Sequence, residues 1–298
     1  MDNIWDNAFR FNAPYCNKKI YSKDFIDYEI YTKFGDKSLK TYDWNDIIYE
    51  FNSDGFRSDE FDNNEKGLKI LYVGCSFTQG VGLPHKHIWS SFLNKMISNK
   101  YNIALQQYNI GFGGASLDTI CRLLYFLIKV RKFKPDLVLG LMPHYNRVEL
   151  FFEGSLANNP KYPPIFMLNY PARGRDKKYD IMYKKFTDFF ESEVFIEYFI
   201  RNMMFISCIL EDIPFYWNTW TGELLKNESF KSQLPTLIKD NFMDIKWLSE
   251  HIIPDKYRIF DIEIARDGQH PGPNCHYYSA NQYFDWLESR NIISNLLG

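Results

Sequence analysis

Residues 69–80 of this chain read KILYVGCSFTQG, and this stretch decides the fold. Its first half, Lys69–Gly74, is a short apolar run closed by a glycine, which predicts a buried strand. Ser76 follows the strand almost at once. A serine in such a turn stands where open α/β sheets bind their ligands, at the carboxyl end of a parallel strand.

Further apolar runs and helical patterns alternate along the rest of the chain. The runs at 104–110, 136–142, 214–220 and 257–262 predict four more strands, and the helices are predicted at 86–99, 117–132, 194–211 and 277–289. Ser116 is placed to cap the second of these helices. Apolar strands that alternate with helices are typical of a parallel sheet covered on both faces. The sequence therefore predicts an α/β fold, a three-layer αβα sandwich with a five-stranded, flavodoxin-like parallel sheet.

The composition of the 298 residues argues against several classes of protein. Hydrophobic residues make up 45% and aromatic residues 18%, which is not the composition of a disordered chain. The formal net charge of -2 lacks the basic excess that binds nucleic acid, so we expect no nucleic-acid partner. No run approaches the length of a membrane span and no secretory signal is seen, so we expect a cytoplasmic or virion-associated protein. Five scattered cysteines without a CxxC pair indicate neither a disulfide framework nor a zinc site.

The predicted domain organisation follows from a change in composition near residue 66. Residues 1–66 are polar, aromatic and rich in turn signals, which indicates an extension that packs on a domain formed by residues 67–298. Within that domain, residues 148–193 are irregular and contain four prolines. Because this segment is too long for an ordinary connection, we predict an insertion that forms a lid or a side wall.

The turn after the first predicted strand is one candidate site. Backbone N–H groups that follow Ser76 can face an anion there. Thr78 stands where the GxSxG elbow of the α/β-hydrolases has a glycine, so this turn is of another kind. On its own, the segment is explained equally well as a structural turn.

The second candidate is the segment DGQHPGP at 267–273, before the last predicted helix. Asp267 and His270 are three residues apart across a tight turn, so the carboxylate can bind one imidazole nitrogen. The other nitrogen is then free to take a proton from a hydroxyl group. Because the carboxyl ends of parallel strands meet at one edge of a sheet, we expect His270 and Ser76 to converge.

Together these segments resemble the sequence blocks of the GDSL, or SGNH, hydrolases. Gly74-Cys75-Ser76 resembles their first block, and residues 267–271 resemble their last block, Asp-x-x-His-Pro. The stretch NIGFGGAS at 109–116 resembles the second block, and NSDGFR at 52–57 resembles a lead-in found before the first. The resemblance extends over residues 50–150 and 255–290 and leaves the insertion unmatched.

The resemblance implies a site and a reaction. Ser76 is the implied nucleophile, His270 the group that takes and returns the proton, and Asp267 the group that orients His270. The implied oxyanion hole consists of the N–H groups of Ser76 and Gly114 and the side chain of Asn146. No metal or organic cofactor is implied, and the expected substrate is a small ester, above all an O-acetyl group on a carbohydrate.

The chain departs from the family pattern in two places. Cys75 stands where the family has aspartate, which adds a less well-placed second nucleophile. The third block, usually Gly-x-Asn-Asp, reads MPHYNR at 142–147. Asn146 is the candidate donor there, with Tyr145 or His144 as alternatives. Since a missing oxyanion donor lowers turnover by about 10²–10³, this departure bears on catalytic efficiency.

Other functions stay open at this point. An O-acetyltransferase would use the same three residues with a sugar hydroxyl as acceptor. A binding or structural module, for example in a viral particle, would keep the fold with an unreactive Ser76. A flavodoxin-type nucleotide binder would explain residues 74–80 but not Asp267 and His270. The sequence does not specify an oligomeric state.

Several other residues have plainer explanations. His276 is predicted to pack the last helix, and His85 and His87 are predicted to be exposed loop residues rather than metal ligands. The basic stretch at 173–185 is predicted to be a solvated face, with binding of an acidic glycan or a phosphate as the alternative. The large aromatic residues are predicted to be core, with those on the insertion as candidates for a sugar or acyl site; they are Tyr162, Phe166, Tyr170, Trp217 and Trp220.

Overall fold

The computed structural model describes residues 15–25, 28, 31–32, 35, 37–62, 64, 66–145, 147–148, 192–220, 232, 234–245 and 253–298. Nearly all of the predicted insertion at 148–193, with its basic stretch and its aromatic residues, lies outside this part of the chain. The candidate oxyanion donor Asn146 also lies outside it.

The described residues form two sheets and several helices. A small antiparallel sheet pairs β1 (Lys19–Tyr21) with β2 (Ile48–Glu50). The elements that follow are β3 (Lys69–Gly74), α1 (Ser76–Gln79), α2 (Trp89–Tyr101), β4 (Gln106–Asn109), α3 (Leu117–Leu124), β5 (Leu137–Met142), α4 (Ser192–Ile209), β6 (Phe215–Thr219), α5 (Thr236–Asp240), α6 (Pro273–Ser289) and α7 (Ile292–Leu297). A π-helical turn at Tyr125–Val130 continues α3.

The main sheet has four parallel strands in the described part of the chain, in the order β4-β3-β5-β6. Alternate side chains of a strand point to opposite faces of its sheet. In β3, Ile70 and Tyr72 point to one face and Leu71 and Val73 to the other, and all four are fully buried. Both faces of the sheet must therefore be covered.

Helices supply that cover on each face. Helices α3 and α4 pack on the face of Leu71 and Val73, and helices α2 and α6 pack on the face of Ile70 and Tyr72. The predicted three-layer α/β sandwich is thus confirmed. The described sheet contains four of the five predicted strands.

The elements of the first half lie close to their predicted bounds. Strand β3 matches its prediction, whereas β4 and β5 begin one or two residues later than predicted. Ser116 caps α3 through a reciprocal pair of hydrogen bonds. Its hydroxyl accepts from the N–H of Thr119, and the hydroxyl of Thr119 accepts from the N–H of Ser116, each at 3.3 Å.

The prediction of a fifth strand at 257–262 is wrong. The segment follows a 3-10 turn at Asp255–Tyr257 and is irregular, with Ile259 54% exposed. The side chain of Asn274 in α6 takes the part of a neighbouring strand. It accepts from the N–H of Phe260 at 2.9 Å and donates to the carbonyls of Phe260 and Ile262 at 3.0 and 3.2 Å. The backbone of the segment at 257–262 is therefore hydrogen-bonded by a residue of a helix, and the apolar pattern of the segment does not reveal this.

Two further findings concern membrane-spanning helices and cysteines. Within the described residues, no helix combines the length and the apolar character that crossing a membrane requires. All five cysteines belong to the described part, and none of them forms a disulfide bond there.

We predict that Asn274→Ala destabilises the protein. Three backbone groups lose their partner, and a buried polar group left unpaired costs about 1–3 kcal/mol. The free energy of unfolding, measured by urea titration, is expected to fall by about 2–3 kcal/mol.

The matched control is Asn281→Ala on the same helix, where the amide donates a single bond to the carbonyl of Tyr277 at 2.8 Å. Its expected loss is below about 1 kcal/mol. Equal losses in the two variants would contradict the role given to Asn274.

Candidate active site

Ser76 is the first residue of α1, the short helix that directly follows β3. Gly74 ends the strand in close contact with its neighbours. A Cβ atom there would lie 2.6 Å from the carbonyl oxygen of Leu141 and would overlap Oγ1 of Thr78. Glycine therefore allows the chain to turn against β5 at this point. The turn leaves Ser76 at the carboxyl edge of the sheet, 7% exposed.

Asp267 and His270 lie on the loop that leads into α6. Asp267 is fully buried, and its Oδ1 accepts hydrogen bonds from the N–H groups of Gln269 at 3.2 Å and His270 at 3.1 Å. Its Oδ2 is hydrogen-bonded to Nδ1 of His270. The carboxylate therefore fixes both the turn and the orientation of the imidazole ring.

The other imidazole nitrogen faces the serine. Nε2 of His270 lies 2.8 Å from Oγ of Ser76, although the two residues are 194 positions apart in the sequence. Ionised Asp267 can only accept, so the hydrogen lies on Nδ1 of His270 and Nε2 is the nitrogen that can take the serine proton. The structure thus brings Ser76, His270 and Asp267 into one chain of hydrogen bonds.

The surroundings of Asp267 keep its carboxyl group ionised. Burial is the largest single influence, and it alone raises the pKa of this group. The charge of His270 when protonated, its ring N–H and two backbone N–H groups together outweigh burial and hold the pKa of Asp267 below its ordinary value. An ionised Asp267 stabilises the imidazolium that forms when His270 takes a proton.

Asn109 ties the loop after β4 to the turn that carries Ser76. Its side chain donates to the carbonyl of Thr78 at 2.8 Å and accepts from the N–H of Gly111 at 2.7 Å. The N–H of Phe112 donates to the carbonyl of Gly74 at 3.2 Å. These bonds hold the loop that carries Gly114 beside the end of β3 and the first helix.

Two backbone N–H groups of these loops, those of Ser76 and Gly114, have no acceptor within the described residues. Free N–H groups close to a nucleophile are what an oxyanion hole requires. Of the candidates for a third donor, Asn146 lies outside the described residues. Its two alternatives, His144 and Tyr145, stack on each other with ring centres 4.4 Å apart.

Arg57 holds the loop that follows α1. Its side chain is buried, with the residue 2% exposed, and the guanidinium donates to the carbonyls of Gly80 and Leu83 at 2.8 Å each. The same group lies over the ring of Tyr49, with Cζ 4.4 Å from the ring centre. The lead-in segment at 52–57 therefore supports the loop behind Ser76.

That loop also contacts the segment that carries Asp267. The carbonyl of Gly82 accepts from the N–H of Arg266 at 2.7 Å. Gly82 has a φ of +74°, and a Cβ atom there would lie 2.8 Å from the nitrogen of Arg266. A glycine at this position thus permits direct backbone contact between the serine loop and the histidine loop.

Residues of the first fifty pack on the histidine loop from the other side. Arg266 lies against two rings that meet edge-on, its Cζ 3.7 Å from the ring centre of Trp44 and 4.7 Å from that of Tyr31. The carbonyl of Lys40 accepts from the N–H of Glu263 at 2.8 Å. The loop that positions Asp267 is therefore held on two sides.

Phe77 and Trp220 form an aromatic wall beside the hydroxyl of Ser76. Their rings stack with centres 4.8 Å apart and an interplanar angle of 14°. Phe77 also meets the ring of His270 edge-on, at 5.5 Å and 67°. On Trp220 lies Arg147, with Cζ 5.4 Å from the ring centre.

Sequence patterns did not single out the wall or Arg147. The prediction places Trp220 in the core, whereas the structure places it half-buried at the site, stacked on Phe77. Local sequence patterns do not reveal this pair, because the two residues are 143 positions apart. The signal in the sequence that could have identified Phe77 and Arg147 is their position next to the predicted site residues. Phe77 directly follows Ser76, and Arg147 ends the third block.

Three other histidines have structural roles. His276 is fully buried in α6, where its Nδ1 accepts from the N–H of Trp89 at 3.1 Å. The prediction that His85 and His87 are exposed is wrong, because both are half-buried in a 3-10 turn. Burial lowers the pKa of His85 to about 3, and Nδ1 of His87 lies 2.7 Å from the hydroxyl of Tyr42.

Two other kinds of chemistry were considered, attack by the thiol of Cys75 and binding of a metal ion. Cys75 is 0% exposed and packs in the core, so its thiol is not presented to the site. In the part of the chain that the structure describes, no group of three His, Cys, Asp or Glu side chains is arranged to hold a metal ion.

Comparisons with known proteins gave matches among solved structures only; no family model and no curated protein matches the chain. It is similar to the psychrotrophic esterase EstA from Pseudoalteromonas sp., with 12% identity over 75% of this chain and 98% of that one, at a TM-score of 0.43. It is similar to a Clostridium thermocellum family 3 carbohydrate esterase, with 13% identity over 78% and 100% of the two chains, at a TM-score of 0.44.

A third similar structure is a member of the lipolytic protein G-D-S-L family from Veillonella parvula. It shares 11% identity over 74% of this chain and 97% of that one, at a TM-score of 0.37. Its name is that of the family which the sequence blocks resemble. At such identities and TM-scores, the reaction of this chain has to be inferred from its own residues.

We predict that His276 makes the fold less stable as the pH falls. Burial, with a smaller contribution from the charge of His270, lowers its pKa from 6.5 to about 3. Between these values the unfolded chain binds a proton that the folded protein does not. The free energy of unfolding therefore decreases as the pH falls through this window.

In the variant His276→Asn, which keeps an acceptor for the N–H of Trp89, this proton uptake is absent. The slope of unfolding free energy against pH, measured by urea titration between pH 4 and 6, should decrease by about 1.4 kcal/mol per pH unit. An unchanged slope would show that the folded protein protonates His276.

Proposed function

We propose that this chain is a serine esterase of the SGNH type that hydrolyses small acyl esters. The observation that carries the proposal is the hydrogen-bonded chain from Oγ of Ser76 through His270 to buried, ionised Asp267. A binding module without turnover has no need of an imidazole nitrogen 2.8 Å from a serine hydroxyl. A nucleophile, a base and a group that orients the base are the parts that acyl transfer requires.

The first half of the reaction forms an acyl-enzyme. Oγ of Ser76 attacks the carbonyl carbon of the ester while its proton passes to Nε2 of His270. Asp267 stabilises the imidazolium. His270 then gives the proton to the oxygen of the leaving alcohol, the bond between that oxygen and the carbonyl carbon breaks, and the acyl group stays on Ser76.

The second half releases the acid. A water molecule gives a proton to His270 and attacks the acyl carbon, and the proton returns to Oγ of Ser76 as the carboxylic acid leaves. Both tetrahedral intermediates carry a negative oxygen. We assign its binding to the N–H groups of Ser76 and Gly114 and to the side chain of Asn146. An oxyanion hole stabilises the transition state when such dipoles are preformed where the charge develops.

The substrate we propose is a small acyl group, above all O-acetyl, on a carbohydrate. The half-buried rings of Phe77 and Trp220 beside Ser76 support this choice, because flat aromatic surfaces suit the apolar faces of sugars. Transfer of the acyl group to a sugar hydroxyl instead of water would use the same residues and the same steps.

We predict that Ser76→Ala abolishes hydrolysis of 4-nitrophenyl acetate. Without Oγ no acyl-enzyme forms, so kcat/KM should fall by at least about 10³. The release of 4-nitrophenolate is followed by absorbance, and circular dichroism verifies that the variant is folded.

The neighbouring variant Cys75→Ala serves as the control and should keep activity within about threefold, since the thiol is buried in the core. Activity that survives Ser76→Ala but is lost in Cys75→Ala would assign the reaction to the cysteine. A folded wild-type protein without turnover would contradict the proposed function.

We also predict that Asp267→Asn lowers kcat by about 10²–10⁴ at neutral pH. The amide of asparagine donates to Nδ1, which moves the hydrogen to Nε2, so His270 can no longer accept the serine proton. Asp261→Asn is the matched control, because Asp261 stands on the same segment but is 90% exposed, and among the described residues its carboxylate binds Lys40 alone.

The control should leave kcat unchanged within a factor of two, as is usual for surface substitutions. A similar kcat for Asp267→Asn and wild type would contradict the orienting role of the carboxylate.

A further inference from the structure

Arg147 lies at the edge of the proposed active site in contact with both of its walls. Its Nη1 is 3.4 Å from the carbonyl oxygen of Ala115, the residue after Gly114. Its guanidinium lies over Trp220, which stacks on Phe77 beside Ser76. A positive charge is thus held between the loop of the proposed oxyanion hole and the aromatic wall.

The charge of Arg147 has no carboxylate partner within the described residues. The bond to Ala115 is long and uses one of five N–H donors of the guanidinium. Arg131 shows the usual alternative, since both of its terminal nitrogens bind the carboxylate of Asp54 at 3.1 Å. Arg147 is half-buried, and its remaining donors have no acceptor among the described residues, so we assign them to an anion.

The surroundings of Arg147 favour a planar anion. The guanidinium lies over the ring of Trp220, with Cζ 5.4 Å from the ring centre, and Nη1 is directed to the carbonyl of Ala115; these two contacts restrict where its other nitrogens can lie. A carboxylate fits that edge with two parallel hydrogen bonds. Aromatic walls also exclude water, which strengthens a charged hydrogen bond.

We propose that Arg147 binds a carboxylate group of the substrate, and that the preferred substrates are esters that carry such a group near the acyl bond. A carbohydrate whose acylated ring is an acidic sugar has this chemistry. The proposal rests on the proposed esterase function and adds substrate charge as the feature that Arg147 selects. Arg147 acts in it as a specificity-determining residue and takes no part in proton transfer.

The test compares two esters of equal shape, 4-acetoxybenzoate and 4-acetoxybenzamide, together with their 3-acetoxy isomers. Each releases a phenol that is followed by absorbance. The members of a pair have nearly the same outline and differ in charge, in the N–H donors of the amide and in the acidity of the phenol, so each ratio is divided by the ratio for hydrolysis by hydroxide alone. We expect wild type to prefer the carboxylate of at least one pair by about tenfold or more in kcat/KM. In Arg147→Met, which keeps an apolar stem over Trp220, the ratio should fall to about one.

Two further variants define what the ratio means. Arg147→Lys keeps the charge without the planar fork and should retain part of the preference. Arg131→Met removes a surface arginine and should leave the ratio unchanged. If Arg147→Met lowers both esters of a pair equally, Arg147 has a structural or oxyanion role and the proposal is overturned.

Binding separates this proposal from the proposed reaction. Titration calorimetry of Ser76→Ala, which cannot acylate, measures Kd for both esters without turnover. A Kd lower for the carboxylate by about tenfold, and lost in Ser76→Ala/Arg147→Met, supports the subsite even where the wild type is inactive. Equal Kd values for the charged and neutral esters of both pairs overturn it, even where Ser76 proves to be the nucleophile.

Discussion

The hydrogen bond between Nε2 of His270 and Oγ of Ser76 is the contact on which the rest of the site depends. It joins residues 194 positions apart, so it exists only where the fold brings the two ends of the domain together. Strand β3 ends directly before Ser76, whereas the loop of Asp267 and His270 is held at the same edge by α6, which packs on the face of Ile70 and Tyr72. Gly74 and Gly82 complete the approach, the first by allowing the turn into Ser76 and the second by allowing the two loops to meet.

The distance between His270 and Ser76 is kept short because residues outside the main sheet fix both the loop behind Ser76 and the loop of Asp267 and His270. Arg57 binds carbonyls of the loop behind Ser76, and Arg266 lies against Trp44 and Tyr31 next to Asp267. A buried guanidinium is costly to desolvate, and the hydrogen bonds from both terminal nitrogens of Arg57 to carbonyls offset part of that cost. Residues before β3 thereby act on the geometry of a site to which they contribute no reacting group.

Much of the fold was predictable because it depends on local patterns. Apolar runs located β3, β4, β5 and β6, and Ser116 located the start of α3, since strand burial and helix capping leave their signals within a few residues. The segment at 257–262 has the same apolar signal, but its backbone is bound by the side chain of Asn274. A competing side chain twelve or more positions away leaves no local trace.

The site shows the same division between local and distant information. Ser76, Asp267 and His270 were singled out from turns that stand next to strands or helices. Their convergence depends on β3 for Ser76 and on the packing of α6 for the other two, because no described strand ends at the histidine loop. Phe77, Trp220 and Arg147 became visible only in three dimensions, because the sequence contains their residue types but not their pairing. The rings of Phe77 and Trp220 form an apolar wall near Ser76, and the positive charge of Arg147 lies at the edge of that wall.

The most direct test of the account is to locate the residue that a fluorophosphonate modifies. Such a probe transfers its phosphorus to an activated serine, and peptide mass spectrometry identifies the modified position. The account predicts that wild type is modified at Ser76, and that His270→Ala, which keeps the serine but removes its base, is modified at least about 10² times more slowly. Modification at another residue, or an equal rate at Ser76 without His270, would contradict the claim that the hydrogen bond between these residues activates the serine.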